Sequence, residues 1–235
     1  MRHWICLWEW RYEASAHSAS RHVITTEAKY MEMELSDLSE SLNGLERTER
    51  TARRALGGAH PETAALEKSL QNARAALRAR EKLYRKAIEL DSNNAAAHNN
   101  LGLLLQTVRN YDDAEQHYRE AIELDPKHTH AHYSLGDILQ TVRKDYDGAE
   151  KMFRKAIELD PKYTYARWAL SIILEKQKND IAGAVKLMEE YVNLGGIPGW
   201  NDGKDRLATL QNKAEAKAKA AASYSEGLAR KKEKK

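Results

Sequence analysis

The chain repeats itself with a period of 34 to 35 residues, and this periodicity constrains its fold more than any other feature. Aligned on itself, the sequence divides into three similar segments, at residues 95–128, 129–163 and 164–196. The second and third segments carry one extra residue between their two halves. A period of this length is typical of arrays in which each repeat buries its apolar face only by stacking on its neighbours. We therefore predict a stack of similar units.

Each segment has the pattern of two amphipathic helices joined by a short turn. Apolar side chains recur at three- and four-residue spacing in the first segment, at Leu101, Leu104, Leu105 and Val108 and then at Ala114, Tyr118, Ala121 and Ile122. Proline disfavours helix at the preceding residue, so Asp125–Pro126 and Asp160–Pro161 mark the ends of two segments. Because the chain has only four Pro, the sequence predicts an all-α fold.

These positions give the chain its resemblance to a known family. The repeats resemble those of the tetratricopeptide-repeat (TPR) family, in which small, aliphatic and aromatic residues recur at fixed positions of a helix pair. The matching residues are Leu101, Gly102, Ala114, Tyr118 and Pro126 in the first segment and Leu135, Gly136, Ala149, Phe153 and Pro161 in the second. The third copy is weaker, with Ser171 in the place of the glycine. The resemblance implies a right-handed α-solenoid of about three helix-turn-helix repeats over residues 95–196.

One long helix is predicted immediately before the repeats, over residues 62–90. The segment that begins at Tyr84 repeats the end of a TPR unit, and His60–Pro61 resembles the start of a kinesin-light-chain repeat. The amino-acid sequence of the first repeat around Asn100 resembles that of O-GlcNAc transferase repeats. No Gly, Pro or Asp interrupts the stretch between positions 63 and 90, so nothing marks a turn there.

An earlier helix, within residues 27–56, is predicted to pair with this long helix. Gly57–Gly58 separate the two helices, and together they would form an antiparallel hairpin, at residues 27–94, that closes the end of the stack. A homodimer through residues 31–56 is the alternative, because the leucines of that stretch follow heptad-like spacing.

The two ends of the chain differ in composition from the repeats. After a predicted loop at residues 197–203, a C-terminal helix is expected at 204–223 and a disordered basic tail at 224–235. Residues 1–26 are interpreted as a flexible leader, with an organellar presequence or a mis-called start as alternatives. The apolar run near the start is too short to span a bilayer, and we expect a cytoplasmic protein.

The resemblance also assigns a set of partner-binding residues. In the family, side chains at the second, fifth, ninth, twelfth and thirteenth positions of the first helix of each repeat face a concave groove. The binding residues predicted from among these positions, with Asn100 added, are Asn99, Asn100, Leu103, Gln106, His130, Tyr133, Asp137, Gln140, Tyr165, Trp168 and Ile172. The set combines aromatic rings with amides, which can bond a peptide backbone as donor and acceptor.

Several other functions are disfavoured by the residues. The carboxylate clamp of chaperone-binding relatives needs paired cations, but Ala65 and Ser69 occupy one pair of positions and His130 and Ser134 another. Enzyme motifs such as a phosphate loop are missing, so no catalytic residue, cofactor or small-molecule substrate is expected. The histidines of the H-x-H-x-H run that starts at His128 do not share one helix face, and no metal site is predicted. The net charge of +3 is too small to indicate nucleic acid.

The sequence therefore predicts a protein-interaction adaptor or scaffold that binds a peptide or helix of a partner protein in its groove. A structural subunit of a large assembly, attached through its convex face or terminal helices, is the alternative. A co-chaperone-like adaptor is a second alternative, which the missing clamp cations disfavour.

Overall fold

The structure is a computed structural model, and it describes residues 42, 44–197 and 202–233, with side chains described as far as 225. The described chain forms two compact units, one ending at Asn110 and the other beginning at Tyr111. The leader predicted at 1–26 and most of the first predicted helix lie outside the described residues. Among the described residues, no helix combines the length and the apolar character needed to cross a bilayer.

The first unit contains a helical hairpin and one further helix. Helix α1 covers residues 44–56, α2 runs from Pro61 to Leu90, and α3 from Ala95 to Thr107. The single helix predicted over residues 62–90 is thus present. Gly57 ends α1 with a left-handed φ of +85°, which glycine adopts at little cost, and Pro61 stands in the first turn of α2.

Ion pairs show that α1 and α2 are antiparallel. Arg53 of α1 binds Glu67 of α2. Arg74 lies later in α2, and it binds Glu46, which lies earlier in α1, at 3.0 Å. Leu70 and Leu77 of α2 are buried, so α2 has an apolar side within the first unit. Leu56, the last leucine of the stretch with heptad-like spacing, is exposed at the end of α1.

The turn that ends α2 has the same bonding pattern as the turns that end two repeats. In each turn an aspartate side chain accepts the backbone N–H two residues later, as with Asp91 and the N–H of Asn93, at 3.1 Å. Asp125 accepts from Lys127 at 3.0 Å and Asp160 from Lys162 at 2.8 Å. Such Asx turns reverse the chain between helices. The shared turn supports the reading of the end of α2 as half of a repeat.

The second unit is a run of helices in which each packs on the next along the chain. These are α4 (Tyr111–Leu124), α5 (Thr129–Ile138), α6 (Tyr146–Leu159), α7 (Thr164–Lys176), α8 (Ile181–Asn193) and α9 (Gly203–Glu233). The small and aromatic signature residues form its core, and Ala114, Tyr118, Ala149 and Phe153 are fully buried. Met188 and Tyr191 fill the corresponding places in the weaker third repeat.

Gly136 allows the two helices of the second repeat to approach closely. A Cβ atom on Gly136 would lie 2.7 Å from Cε1 of Phe153 and 3.2 Å from Cβ of Met152. Both neighbours belong to α6, and Phe153 is fully buried, so its ring has little room to move. The glycine of the repeat signature is therefore required by packing at this position.

The extra residue of the second repeat lies in the turn between its helices. After Ile138 the chain continues as a π-helical turn, Leu139–Arg143, and then takes a left-handed conformation at Lys144, with φ of 60°. The N–H of Asp145 closes this turn on the carbonyl of Leu139 at 2.9 Å. A π-turn accommodates one additional residue without unwinding the helices on either side.

Ion pairs at equivalent positions connect successive repeats. Arg143 binds both Asp112 and Glu115 at the start of α4. In the next turn Lys178 binds Asp147 and Glu150 at the start of α6. A cation in the turn of one repeat thus neutralises two carboxylates in the repeat before it. The carboxylates also lie at helix starts, where the helix dipole favours negative charge.

The C-terminal helix is longer than predicted. The sequence predicts a helix at residues 204–223 and a disordered tail at 224–235, whereas α9 continues to Glu233. The stretch is rich in Ala, Lys, Glu and Arg, which are strong helix formers, and it contains no proline. Charge alone was therefore a poor guide to disorder here.

Candidate partner-binding surface

The predicted binding residues of the first repeat lie in the first unit, and two of them are buried. Asn99 and Asn100 expose 2% and 5% of their surface, and the Asn99 amide donates to Asn100 at 3.4 Å. They offer little surface to a partner, because most of each side chain is already inside the unit. Leu103 and Gln106 are partly exposed.

In the second unit, four rings come together on α5 and α7 and in the turn before α7. We call this cluster, of His130, Tyr133, Tyr163 and Tyr165, the tyrosine face. Ring centres lie 5.1 Å apart between His130 and Tyr163, 5.4 Å between Tyr133 and Tyr163, and 6.0 Å between Tyr133 and Tyr165. These separations and the mostly edge-on or tilted arrangements are those preferred by aromatic pairs. Tyr163 was absent from the predicted set because it precedes the helix.

The members of the tyrosine face differ in how much surface they offer. Tyr165 is 41% exposed, whereas Tyr133 is partly buried and packs 5.7 Å from the ring of Phe153. Burial, together with the nearby Asp137 and Tyr165, raises the pKa of the Tyr133 hydroxyl above its usual range, so it remains a neutral donor. Asp137 of α5 and Gln140 of the π-helical turn that follows are partly exposed.

Trp168, predicted to bind a partner, makes its contacts within the chain. Its ring centre lies 5.3 Å from that of Tyr191, and the guanidinium of Arg206 lies 5.2 Å above it. A cation over an aromatic face is attracted by the ring quadrupole. Ile172, one turn further along α7, is partly exposed. The C-terminal helix thus lies against the end of the predicted groove.

Glu175 completes this contact between α7 and α9. Its carboxylate accepts from Arg206 at 3.1 Å and from Lys213. Burial raises the pKa of Glu175, but the hydrogen bonds and charges of Lys213 and Arg206 outweigh burial, and the net pKa is below the usual 4.5. The C-terminal helix was predicted, but Arg206 was not assigned a role, because it lies outside the repeats.

The histidines of the H-x-H-x-H run each have a local contact. His128 caps α5, where its Nδ1 atom accepts the N–H of Ala131 at 3.2 Å. Burial lowers the pKa of His128, so the ring is neutral at pH 7. His132 contacts the carbonyl of Pro126 at 3.0 Å through Nε2, and His130 belongs to the tyrosine face. Their positions follow from capping and packing.

Two family models match the chain at its strongest repeats. Both describe the tetratricopeptide repeat, one over residues 95–128 and the other over residues 129–163. The segment 164–196 lies beyond these matches, although α7 and α8 form the same kind of helix pair. No curated protein sequence matches the chain.

Solved structures with a similar fold include an O-GlcNAc transferase and a protein called MamA. The Thermobaculum terrenum O-GlcNAc transferase, as a mutant, is 22% identical with a TM-score of 0.46, over 66% of this chain and 26% of that chain. This chain thus spans about a quarter of the transferase. A MamA crystal structure is 20% identical, with a TM-score of 0.48, over 66% of this chain and 89% of that one. A double mutant of MamA from RS-1 is 15% identical, with a TM-score of 0.52, over 78% and 90%. At such identities the similarity concerns the fold alone.

Proposed function

Because this chain belongs to the tetratricopeptide-repeat family, whose repeats serve in protein–protein interaction, we propose that it is an adaptor that binds a partner segment on the tyrosine face. The observation that carries the proposal is the exposed Tyr165 ring, which lies beside the rings of Tyr133 and Tyr163 and their polar hydroxyl groups. Exposed aromatic residues with polar neighbours are typical of interaction sites, since they supply contact area with few rotatable bonds.

The proposed site is smaller than the groove expected from family positions. It comprises the tyrosine face with Asp137 of α5, Gln140 of the π-helical turn and Ile172 of α7. Trp168 is left out of the proposed site because its ring already contacts Tyr191 and Arg206 of the same chain. Asn99 and Asn100 are excluded because they are buried. Leu103 and Gln106 remain candidates on the first unit.

A structural subunit held through its terminal helices is the second candidate function. The observation in its favour is the far half of α9, where the described residues 215–225 are all exposed, including Tyr224 at 72%. A helix of good helix formers that extends beyond its packing partners offers a surface for attachment.

Two exposed tyrosines provide a matched test of these functions. The full chain would be purified with its partners from its native source, and Tyr165→Ala would be compared with Tyr224→Ala by quantitative mass spectrometry. Binding on the tyrosine face predicts that only Tyr165→Ala loses the partner. Attachment through α9 predicts the reverse pattern. Thermal unfolding of both variants checks that neither has lost its fold.

A further inference from the structure

The pattern of ion pairs between successive repeats is broken in the first unit. Arg143 and Lys178 each bind one carboxylate 28 residues earlier in the chain and another 31 residues earlier. Arg109 stands at the same place in the first repeat, and counting back from it gives Glu81 and Arg78, since 109 − 28 = 81 and 109 − 31 = 78. A second arginine therefore occupies the position where the later repeats have an aspartate.

Arg78 and Arg109 are exposed, and neither guanidinium has a hydrogen-bond or ion-pair partner among the residues that the structure describes. Glu81, the one acid left in the pattern, binds Arg85 at 2.9 Å. The backbone of Arg109 has a left-handed φ of 65°, and its N–H donates to the carbonyl of Gln106 at 2.9 Å. The turn thus fixes where the Arg109 side chain begins, and both arginines have unused donors.

Both arginines line one cleft of the first unit, with a volume of about 460 Å³. We call it the arginine cleft, and define it by Arg78, Arg109, Leu77, Leu104 and Val108. The two leucines are buried, whereas Val108 exposes 46% of its surface beside Arg109. The cleft therefore offers apolar contact area next to two guanidinium groups.

The acids of the described cleft lining are already neutralised. Glu46 is bound by Arg74, and Glu81 is bound by Arg85. Helix α3 contains no acidic residue, and residues 70–85 of α2 contain five Lys or Arg but only one acid, Glu81. The charge that remains in the cleft is positive, so it repels a basic ligand and attracts an acidic one.

We propose that the arginine cleft binds an acidic segment of a partner protein, and that one carboxylate of this segment takes the place that an aspartate of the chain holds in the later repeats. The carboxylate binds Arg78 and Arg109, and a neighbouring apolar side chain contacts Val108. Guanidinium groups suit this ligand, because each can donate two parallel hydrogen bonds to a carboxylate. The inference concerns the first unit and goes beyond the tyrosine face, so either proposal can fail without the other.

An acidic peptide provides the direct test. A short peptide of Asp, Leu and Ser, the same peptide with Lys in place of Asp, and a single-stranded RNA of equal length would each be titrated into the full-length ¹⁵N-labelled protein. The Asp peptide should shift the amide signals of Arg78, Val108 and Arg109 saturably, and its affinity should fall as salt is added. The Lys peptide should leave these signals unchanged. Absence of saturable shifts there with the Asp peptide, or tighter binding at these residues by the Lys peptide or the RNA, would overturn the inference.

Arg78→Asp restores the acid that the later repeats have at this position. It should lower the affinity for the Asp peptide at least about tenfold, because a charge-assisted hydrogen bond is replaced by repulsion. The urea midpoint should stay unchanged or rise, since Arg109 gains a partner within the chain. Lys68→Asp is the matched control, because it makes the same change of charge at an exposed position of α2 outside the cleft. Equal losses of affinity in the two variants would contradict binding in the cleft.

Arg109→Asn tests the second arginine without disturbing the turn. Asn179 takes the same left-handed conformation in the third repeat, with φ of 53°, so asparagine suits position 109. The variant should unfold at the same urea concentration as wild type and bind the Asp peptide at least about fivefold more weakly. Unchanged affinity in both Arg78→Asp and Arg109→Asn would overturn the inference.

One further variant distinguishes a partner from the acids of the chain itself. Residues 32–40 contain Glu32, Glu34, Asp37 and Glu40 and no Lys or Arg. Replacement of these four acids by Gln or Asn should leave the affinity for the Asp peptide unchanged. If the wild type does not bind the peptide and this variant does, an acid of the chain itself uses the cleft, and the inference of a partner is overturned. Tyr165→Ala should leave binding of the Asp peptide unchanged, which keeps this test separate from that of the tyrosine face.

Discussion

The guanidinium of Arg206 lies 5.2 Å above the ring of Trp168 while it also donates to Glu175 at 3.1 Å. This relationship joins the C-terminal helix to the first helix of the third repeat across 38 positions of sequence, since 206 − 168 = 38. An end repeat otherwise exposes an apolar face, and α9 covers part of it by packing on α8. The same contact limits the partner surface, because Trp168 is no longer fully available.

Removal of the Arg206 side chain should destabilise the second unit. Arg206→Leu is expected to lower the free energy of unfolding by about 1 kcal/mol, because the cation–π contact and the partly buried ion pair are lost together. Arg206→Lys should lose about half as much, since it keeps the charge but not the planar group. Urea denaturation of the full chain, followed by circular dichroism, measures both.

A double-mutant cycle checks that Arg206 acts through Trp168. The effect of Arg206→Leu should shrink when Trp168 is already replaced by Leu, because the ring that the cation contacts is missing. Equal effects of Arg206→Leu in both backgrounds would mean that the cation contributes only through Glu175.

Gly136→Ala should be one of the most damaging single-methyl additions in the chain. The new Cβ atom would meet Cε1 of the buried Phe153 at 2.7 Å, and overpacking of this kind costs about 1–3 kcal/mol. Gly44→Ala is the matched control, because among the described residues nothing lies within 4 Å of a Cβ at that position. It should leave stability unchanged or raise it slightly, since Ala is the better helix former. Comparable losses in the two variants would contradict the close approach of α5 and α6.

The repeat signature explains why so much of the helical structure could be predicted. Leu135, Ala149 and Phe153 recur at the repeat period, and each is buried at the place where its helix meets the next. The Asp–Pro pairs locate the turns because proline restricts the residue before it. Helix ends without such markers were less predictable, and α9 continued ten residues beyond the expected end at 223, to Glu233.

The candidate site was less predictable, because the family positions identify which side chains share a helix face but not how much of each side chain is exposed to solvent. Tyr165 is exposed, but Trp168, three residues later, is in contact with Tyr191 and Arg206. No sequence pattern near Trp168 indicates the Arg206 contact, since α9 does not belong to the repeat. The ion pairs of Arg143 and Lys178 could have been predicted from the sequence, because a cation and two acidic residues recur at equivalent positions one repeat apart.

The contribution of Glu175 to stability should depend on pH. Its pKa is lowered in the folded chain, so folding is favoured while the carboxylate is ionised, above the unfolded value of about 4.5. That contribution is lost as the pH falls through the lowered pKa. Glu175→Gln should therefore lower the free energy of unfolding by about 1 kcal/mol near pH 7 and by progressively less below pH 4.5. Urea denaturation at a series of pH values measures the difference.

Asp147→Asn is the control for this pH dependence. Asp147 also has a lowered pKa, caused first by its hydrogen bond to Lys178, but its side chain is 76% exposed. Water and salt screen exposed pairs, so its effect near neutral pH should be smaller than that of Glu175→Gln. If the difference in the free energy of unfolding between wild type and Glu175→Gln stays constant down to pH 3, the mutation acts through packing and not through charge.

Replacement of Trp168 and replacement of Tyr165 should have different effects when the free energy of unfolding and partner binding are measured on the same variants. Trp168→Ala removes a ring that packs on Tyr191 and supports Arg206, and it should lower the free energy of unfolding by about 2–4 kcal/mol. Tyr165→Ala removes a ring with 41% of its surface in solvent and should cost under about 1 kcal/mol. Partner retention should show the opposite order at a temperature where both variants are folded, with the larger loss for Tyr165→Ala. A stable Trp168→Ala variant that fails to retain the partner would show that Trp168 belongs to the binding surface and that Arg206 lies beside the bound segment.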